Sequence, residues 1–524
     1  YYINFINCIS SFKFISNMFF SGKNQKLGKR LHYNIMCVAA LQLGAIVMPA
    51  TVAAADGAAR DVQPDSAMQA AVDRFAFDPS LRYGSVGVCV MRIDSGSVVA
   101  AHTPDEACIT ASTMKTVTSA TALELLGKDY TFGTRVMAVG EIDRHGTLHG
   151  NIVVRGEGDP TLGSRYFAGH GSIVDSIVAK VHEHGIKKIA GKVIVDTSAI
   201  PYPPVGNCWM FDDLGYDYGA GCFGVCFADN VLSISLDRSG EEPMDIQVEP
   251  NTTQLSVNSR IKLYDEGEQM AVDFVEAVPD YDLPSLTLWG GARRGEKRMK
   301  QTFANPAPYY TLEDSVLRGL RYADIRVKDK KLRPDKIEDD TLMLVDFRSP
   351  LLPEVLRSLL YRSDNMFTEM TLRAVAAIDG KPATIKNGVA RVHELWKQKG
   401  VDCVPLFMRD GSGLSRNNKA SARFLCEMLR RVYADRDSLG CDFSQLLPVG
   451  GVSGTLKSLL GKTPLCGKVA LKSGSMSDVQ CFTGYYPADK PEYTVTILVN
   501  NFVCSRAQLR RNIEQLLVEL FPQK

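Results

Sequence analysis

The sequence predicts a mixed α/β (α+β) protein in which one helix-and-strand domain is interrupted by a β-rich insertion. Three observations lead there. Two stretches far apart in the chain combine helical periodicity with strand-like alternation. The region between them is dominated by short strand-like runs and glycine-rich turns. A chain of 524 residues also exceeds what one ordinary core holds. A composition of 45% hydrophobic and 23% charged residues is that of a globular protein. The formal net charge of +1 excludes the electrostatic footprint of a nucleic-acid binder.

Residues 1–55 read as upstream sequence and an export signal. Lys23, Lys26, Lys29 and Arg30 form a basic patch, an apolar run covers residues 36–52, and Ala53-Ala54-Ala55 offers small residues for cleavage. The chain opens on Tyr1, with a candidate start at Met18. The alternative is a retained membrane anchor, but the run is short and broken by Pro49. No second span is seen, so no stable membrane span is expected after cleavage.

Residues 56–131 form the first part of the main domain: a helix at 65–78, strands at 83–93 and 97–101 about a turn at Gly96, and a helix at 112–126 stopped by Gly127. Residues 132–345 are the β-rich insertion of one or two smaller domains, with strands at 135–140, 151–155, 192–195, 231–236, 253–257 and 285–288. The mixed-charge segment 328–340 reads as a solvated linker or loop. Residues 346–524 resume the main domain. Helices are expected there at 353–360, 365–378, 387–399, 420–433 and 506–520, and strands at 468–472, 481–486 and 493–500.

Of the 13 cysteines, Cys8 and Cys37 fall in the leader, leaving an odd number scattered through an exported chain, which is not a disulfide scaffold. Cys222 and Cys226 lie close together without a neighbouring histidine, so they read as buried small apolar residues rather than a zinc site.

Three motifs carry chemistry, in order: Ser112-Thr113-Met114-Lys115, Ser363-Asp364-Asn365 and Lys472-Ser473-Gly474. Residues i and i+3 share a helix face, so the Ser112 hydroxyl and Lys115 amine can meet. At a helix N-terminus the macrodipole favours a developing alkoxide. Lysine is a base only when neutral, and burial together with a second cation, Lys472, would lower its pKa. Ser363 can pass a proton to a leaving amine, and Asn365 can orient Lys115 or a substrate peptide. Gly474 lets substrate backbone approach. The N–H groups of Ser112 and Ser475 are the natural oxyanion-hole pair. Each motif alone is weak; their joint order is specific.

In this context the chain resembles the penicillin-binding D-alanyl-D-alanine carboxypeptidase/endopeptidase family, the low-molecular-mass type with large inserted domains. Ala111 to Lys115 looks like that family's nucleophile segment, and the long interval from Lys115 to Ser363 matches its insertion. Gly156 to Leu162, Asp213 to Ala220, Ser349-Pro350-Leu351 and Asp410 to Arg416 are similar to further family marks. The resemblance implies a β-lactamase/transpeptidase-like domain. It also implies acylation of Ser112 by peptidoglycan stem peptides or cross-links, inhibition by β-lactams, a periplasmic location, and no cofactor or metal. It gives Asp159 a role in meeting the amino group of a diamino acid side chain; the alternative is that Gly158-Asp159-Pro160 is simply a tight turn. Ser473 stands where the family more often has Thr, Tyr361 where it more often has Asn, and Tyr216-Asp217-Tyr218 where it has Asn-Tyr-Tyr.

A β-lactamase is the first rival, disfavoured by the lack of a Glu-x-x-Leu-Asn segment between the first two motifs. A non-catalytic β-lactam- or cell-wall-binding protein would show a broken triad of motifs, and all three are intact. A Ser-His-Asp hydrolase lacks its Gly-x-Ser-x-Gly elbow here, and none of the eight histidines falls in a motif.

Overall fold

The computed structural model describes residues 65–240, 244–269, 274–328 and 341–523. The leader expected at 1–55 and nearly all of the linker expected at 328–340 lie outside the described residues. Among the described residues no helix is long and apolar enough to cross a membrane.

The chain begins with α1 (Ser66–Ala76), capped by the Asp65 carboxylate, which accepts the N–H groups of Ala67 and Met68. Strands β1 (Ser85–Arg92), β2 (Val98–His102) and the short β3 (Cys108–Ile109) follow. A single 3₁₀ turn, Ala111–Thr113, then leads into α2 (Met114–Leu126). The first ten residues of α2 are buried on every face, as befits a helix at the centre of a domain rather than on its surface. Its hydroxyls make this possible by bonding within the core: Thr121 accepts the indole N–H of Trp396 at 2.9 Å, and Thr118 donates to the Gly411 carbonyl at 2.7 Å.

The insertion opens with β4 (Gly133–Ile142) and β5 (Thr147–Gly156), then α3 (Ile173–Glu183), β6 (Lys188–Ile189) and β7 (Val193–Asp196). Next come β8 (Val231–Leu236), β9 (Ile246–Glu249), β10 (Ser256–Tyr264), β11 (Val275–Asp280), β12 (Ser285–Arg293) and β13 (Met299–Ala304). It closes with α4 (Pro308–Tyr322), β14 (Arg326–Val327) and β15 (Thr341–Arg348). The insertion has two cores. One lies between the sheet β14-β6-β5-β4-β15 and helices α3 and α4. The other fills the space between two three-stranded sheets, β10-β12-β11 and β13-β8-β9.

Helices α3 and α4 were not expected in a β-rich block. Ile173, Ile177 and Val181 do fall on one buried face at helical spacing, but their β-branched side chains mimic strand composition. The strand expected at 253–257 also shifts: Thr253 is tied to the Asp314 carboxylate, and pairing starts at Ser256. Because β15 pairs with β4 through Arg348↔Gly133, the boundary expected at 345 falls inside a strand.

Entry and exit of the insertion are stapled together. The Phe132 N–H donates to the Ser349 hydroxyl and the Ser349 N–H to the Phe132 carbonyl, both at 3.0 Å. The chain then forms α5 (Leu352–Arg362), α6 (Asn365–Ala376), α7 (Ile385–Gln398), the short β16 (Lys419–Ala420), α8 (Ala422–Ala434), β17 (Ala470–Met476), β18 (Val479–Tyr486), β19 (Tyr493–Asn500) and α9 (Arg506–Leu520).

The main sheet, in the order β17-β18-β19-β1-β2, is antiparallel and draws its strands from both sides of the insertion. One face packs on α1 and α9 through Val72, Phe75, Val88, Ile497 and Leu516. The other packs on α2, α8 and the remaining helices through Met91, Leu498, Val117 and Leu425. Such a sheet cannot form until residues hundreds of positions apart meet, so the two outer segments are one domain. All eleven cysteines among the described residues are free thiols.

Candidate active site

The three motifs converge between the start of α2, the α5–α6 junction and the edge strand β17. Ser112 lies in the 3₁₀ turn just before α2, and Lys115 in the first turn of the helix. The Lys115 ammonium has no exposed surface and makes three contacts: Ser112 Oγ at 2.9 Å, Asn365 Oδ1 at 2.6 Å and the Ser412 carbonyl at 2.7 Å. Burial lowers its pKa from 10.5 to about 8, against the pull of Asp410, Glu369 and Asp364. Two of its partners are carbonyl oxygens that can only accept. A neutral amine therefore spends both N–H groups on them and turns its lone pair to the Ser112 hydroxyl.

Ser363 ends α5 in the left-handed conformation at φ 61°, which turns the chain sharply, and the Asp364 carboxylate then caps α6. The turn places the Ser363 hydroxyl 2.9 Å from Lys472 Nζ. Lys472 is fully buried, and its pKa is held well below the usual lysine range by burial and by the charge of Lys115. For Lys115 itself burial dominates, where a neighbouring cation had been expected to share the work. Asn365 bridges two regions: its amide N–H₂ donates to the Tyr218 carbonyl of the insertion at 2.8 Å.

At Gly474 a Cβ would lie 2.6 Å from the Thr110 carbonyl and 3.0 Å from Ser112 N, so the nucleophile turn of the same chain also approaches this glycine closely. Ser473 bonds Thr455 at 2.7 Å, and the exposed Ser475 accepts from Arg506 at 2.6 Å.

Asp159 is not drawn into this cluster by any hydrogen bond. It is fully buried, accepts the N–H and hydroxyl of Thr161 on one oxygen, and has no partner on the other among the described residues. Burial raises its pKa to about 6.

Several contributors carried no signal that residue-type patterns could reveal. The Ser412 and Tyr218 carbonyls act through backbone, which any residue supplies. Glu369 holds the Ser412 N–H at 2.7 Å, and its pKa is raised to about 7 by burial and by Asp410. Its i+4 relation to Asn365 on α6 was the one available hint. Asp410 organises the Ser412 loop by accepting from Gly413 N, Ser415 N, Asn418 Nδ2 and the Trp209 indole of the insertion.

The chain is 27% identical over 412 residues to D-alanyl-D-alanine carboxypeptidase DacB of Haemophilus influenzae, covering 76% of this chain and 82% of that one. It is 28% identical over 454 residues to a D-alanyl-D-alanine carboxypeptidase of Actinomadura sp., covering 82% and 80%. The crystal structure of penicillin binding protein 4 (dacB) from Haemophilus influenzae superposes with a TM-score of 0.75 at 25% identity, over 86% of this chain and 99% of that one. The profile of the D-Ala-D-Ala carboxypeptidase 3 (S13) family matches residues 68–523, and the chain belongs to that family of serine hydrolases.

Proposed function

We propose that Ser112 is the acylated nucleophile of a D-Ala-D-Ala carboxypeptidase/endopeptidase acting on peptidoglycan stem peptides and cross-links. The observation that carries it is the Ser112–Lys115 contact: of the three groups that hold this buried amine among the described residues, the Ser112 hydroxyl is the one able to donate to it. Ser112 Oγ attacks the carbonyl carbon of the penultimate D-Ala as its proton passes to Lys115 Nζ. The C–N bond then breaks, and Ser363 relays a proton to the departing amine. Water hydrolyses the ester and restores Ser112. Ser112 N–H and Ser475 N–H are proposed as the oxyanion donors, and Lys472, Ser473 and Ser475 as the group that holds the terminal carboxylate. That carboxylate would keep the charge of the coupled lysine pair on Lys472 and leave Lys115 neutral.

β-Lactams present a similar amide to the same serine. Wild-type protein incubated with benzylpenicillin is expected to gain one slowly lost adduct by intact mass, absent from Ser112→Ala. Fast drug turnover with no lasting adduct would replace this reading with a β-lactamase. An equal adduct on Ser112→Ala would remove Ser112 as nucleophile.

Asp159 is proposed to receive the amino group of a diamino acid side chain, which would supply the cation its unpartnered oxygen lacks. Asp159→Asn is expected to leave penicillin acylation unchanged and to reduce cleavage of amine-bearing peptides about tenfold relative to acetylated ones. Equal loss on both peptide types would assign Asp159 to folding alone. Its raised pKa gives the sign of its effect on stability. The carboxyl's contribution is fully present below pH 4 and fades as pH rises through about 6, so the Asn variant should gain stability relative to wild type at neutral pH.

The leader composition supports export to a periplasm. Residues 132–348 are proposed as the inserted unit, supported by the pairing of β15 with β4.

A further inference from the structure

Beyond the motif residues, a cavity of about 410 Å³ opens between residues 201–208 of the insertion, α6, the first turn of α7 and Met408-Arg409. Its polar lining is cationic: Arg373, Lys386 and Arg409 face it, and none of the described residues lining it is a carboxylate. Arg373 is 3% exposed, gives one N–H to the Ala383 carbonyl at 3.2 Å, and leaves its Nε without a partner among the described residues. A buried guanidinium with an unspent donor is costly unless an acceptor arrives. Glu369, one turn earlier on α6, interacts with the Arg373 charge but spends its hydrogen bond on Ser412 N.

The start of α7 adds to this independently. Thr384 caps Asn387 N through its hydroxyl and Gly388 N through its carbonyl. The first-turn N–H groups of Ile385 and Lys386 have no acceptor within the helix, and both residues line the cavity at the positive end of the macrodipole. Tyr202, Ile385 and Met408 supply apolar wall.

We infer that this cavity binds an oxyanion, a carboxylate or phosphate carried on a partly apolar molecule, with Arg373 at its floor and Lys386 and Arg409 at its rim. Acidic peptides and phosphate esters share that chemistry. Arg373 lies on the helix that carries Asn365, and Arg409 precedes the loop whose Ser412 carbonyl holds Lys115, so an occupant would sit against the supports of the catalytic lysine.

The test uses the full chain carrying Ser112→Ala, so its outcome is separate from the acylation reading. Calorimetric titrations with inorganic phosphate and with an N-acetylated D-glutamyl dipeptide are expected to show saturable, salt-sensitive binding of at least one, and the tighter of the two identifies the source. The added exchange Lys386→Gln with Arg409→Gln touches only exposed side chains and should preserve the melting temperature without ligand. It should weaken binding about tenfold. Absence of saturable binding for both probes, or unchanged affinity in the rim variant, would overturn the inference.

Discussion

Lys115→Met is expected to slow acylation of Ser112 by a fluorescent penicillin about 10²–10⁴-fold, the usual contribution of a positioned general base. Methionine keeps the unbranched apolar stem of lysine and ends at the position before the amine, so most of the buried slot stays filled while the proton acceptor is lost. The wild-type pH profile tests the same step. Burial lowers the Lys115 pKa to about 8, and only the neutral amine can take the Ser112 proton. Below that pH the lysine is charged and the rate falls; above it the rate levels off. The rising limb should therefore centre near pH 8 and vanish in the variant. Stopped-flow acylation across pH 6–10 measures both. A variant acylating within a few-fold of wild type, or a flat wild-type profile, would show that another group is the base.

Gly413→Ala is the second large effect, expected at about 10²-fold in acylation rate through misplacement rather than lost chemistry. Gly413 sits at φ 80°, and a Cβ there would run into the Ala111 carbonyl and crowd Met114. Relief requires the Ser412 loop and the nucleophile turn to separate, which stretches the bond from Lys115 Nζ to the Ser412 carbonyl. The melting temperature should drop as well, because alanine is strained at positive φ. Gly169→Ala is the control: its added Cβ meets nothing within 4 Å, and both rate and melting temperature should stay at wild type. A Gly413→Ala protein that acylates normally would show that the loop can move without disturbing the lysine.

These two predictions draw on different sources. Lys115 was legible because Ser-x-x-Lys at the head of a helix brings two side chains together by local geometry alone. The order of the three motifs, the α/β character of both outer segments and the interrupted plan were legible for the same reason: periodicity and residue type are local properties. The helices α5 to α9 lay close to their expected positions, because their apolar faces repeat at helical spacing and α6 to α9 are capped by Asp364, Thr384, Ser421 and Ser505.

Helix α3 was missed where β-branched content obscured the period, α4 was missed inside a block read as β-rich, and both pack against the inserted sheet. Gly413 marks the deeper limit. As a letter in the Asp410–Arg416 segment it could be read as a turn residue. That it must be glycine because Ala111 presses against it depends on two segments some three hundred positions apart. The carbonyls of Ser412 and Tyr218 are the same case: main-chain acceptors leave no trace in residue identity, yet they hold Lys115 and Asn365 in place. Sequence by itself determined which side chains could do acyl-transfer chemistry, because that is a property of functional groups and short spacings. Tertiary structure alone decided which backbone atoms aim them, and that one oxygen of the buried Asp159 has no partner among the described residues, because proximity across long loops is set by packing.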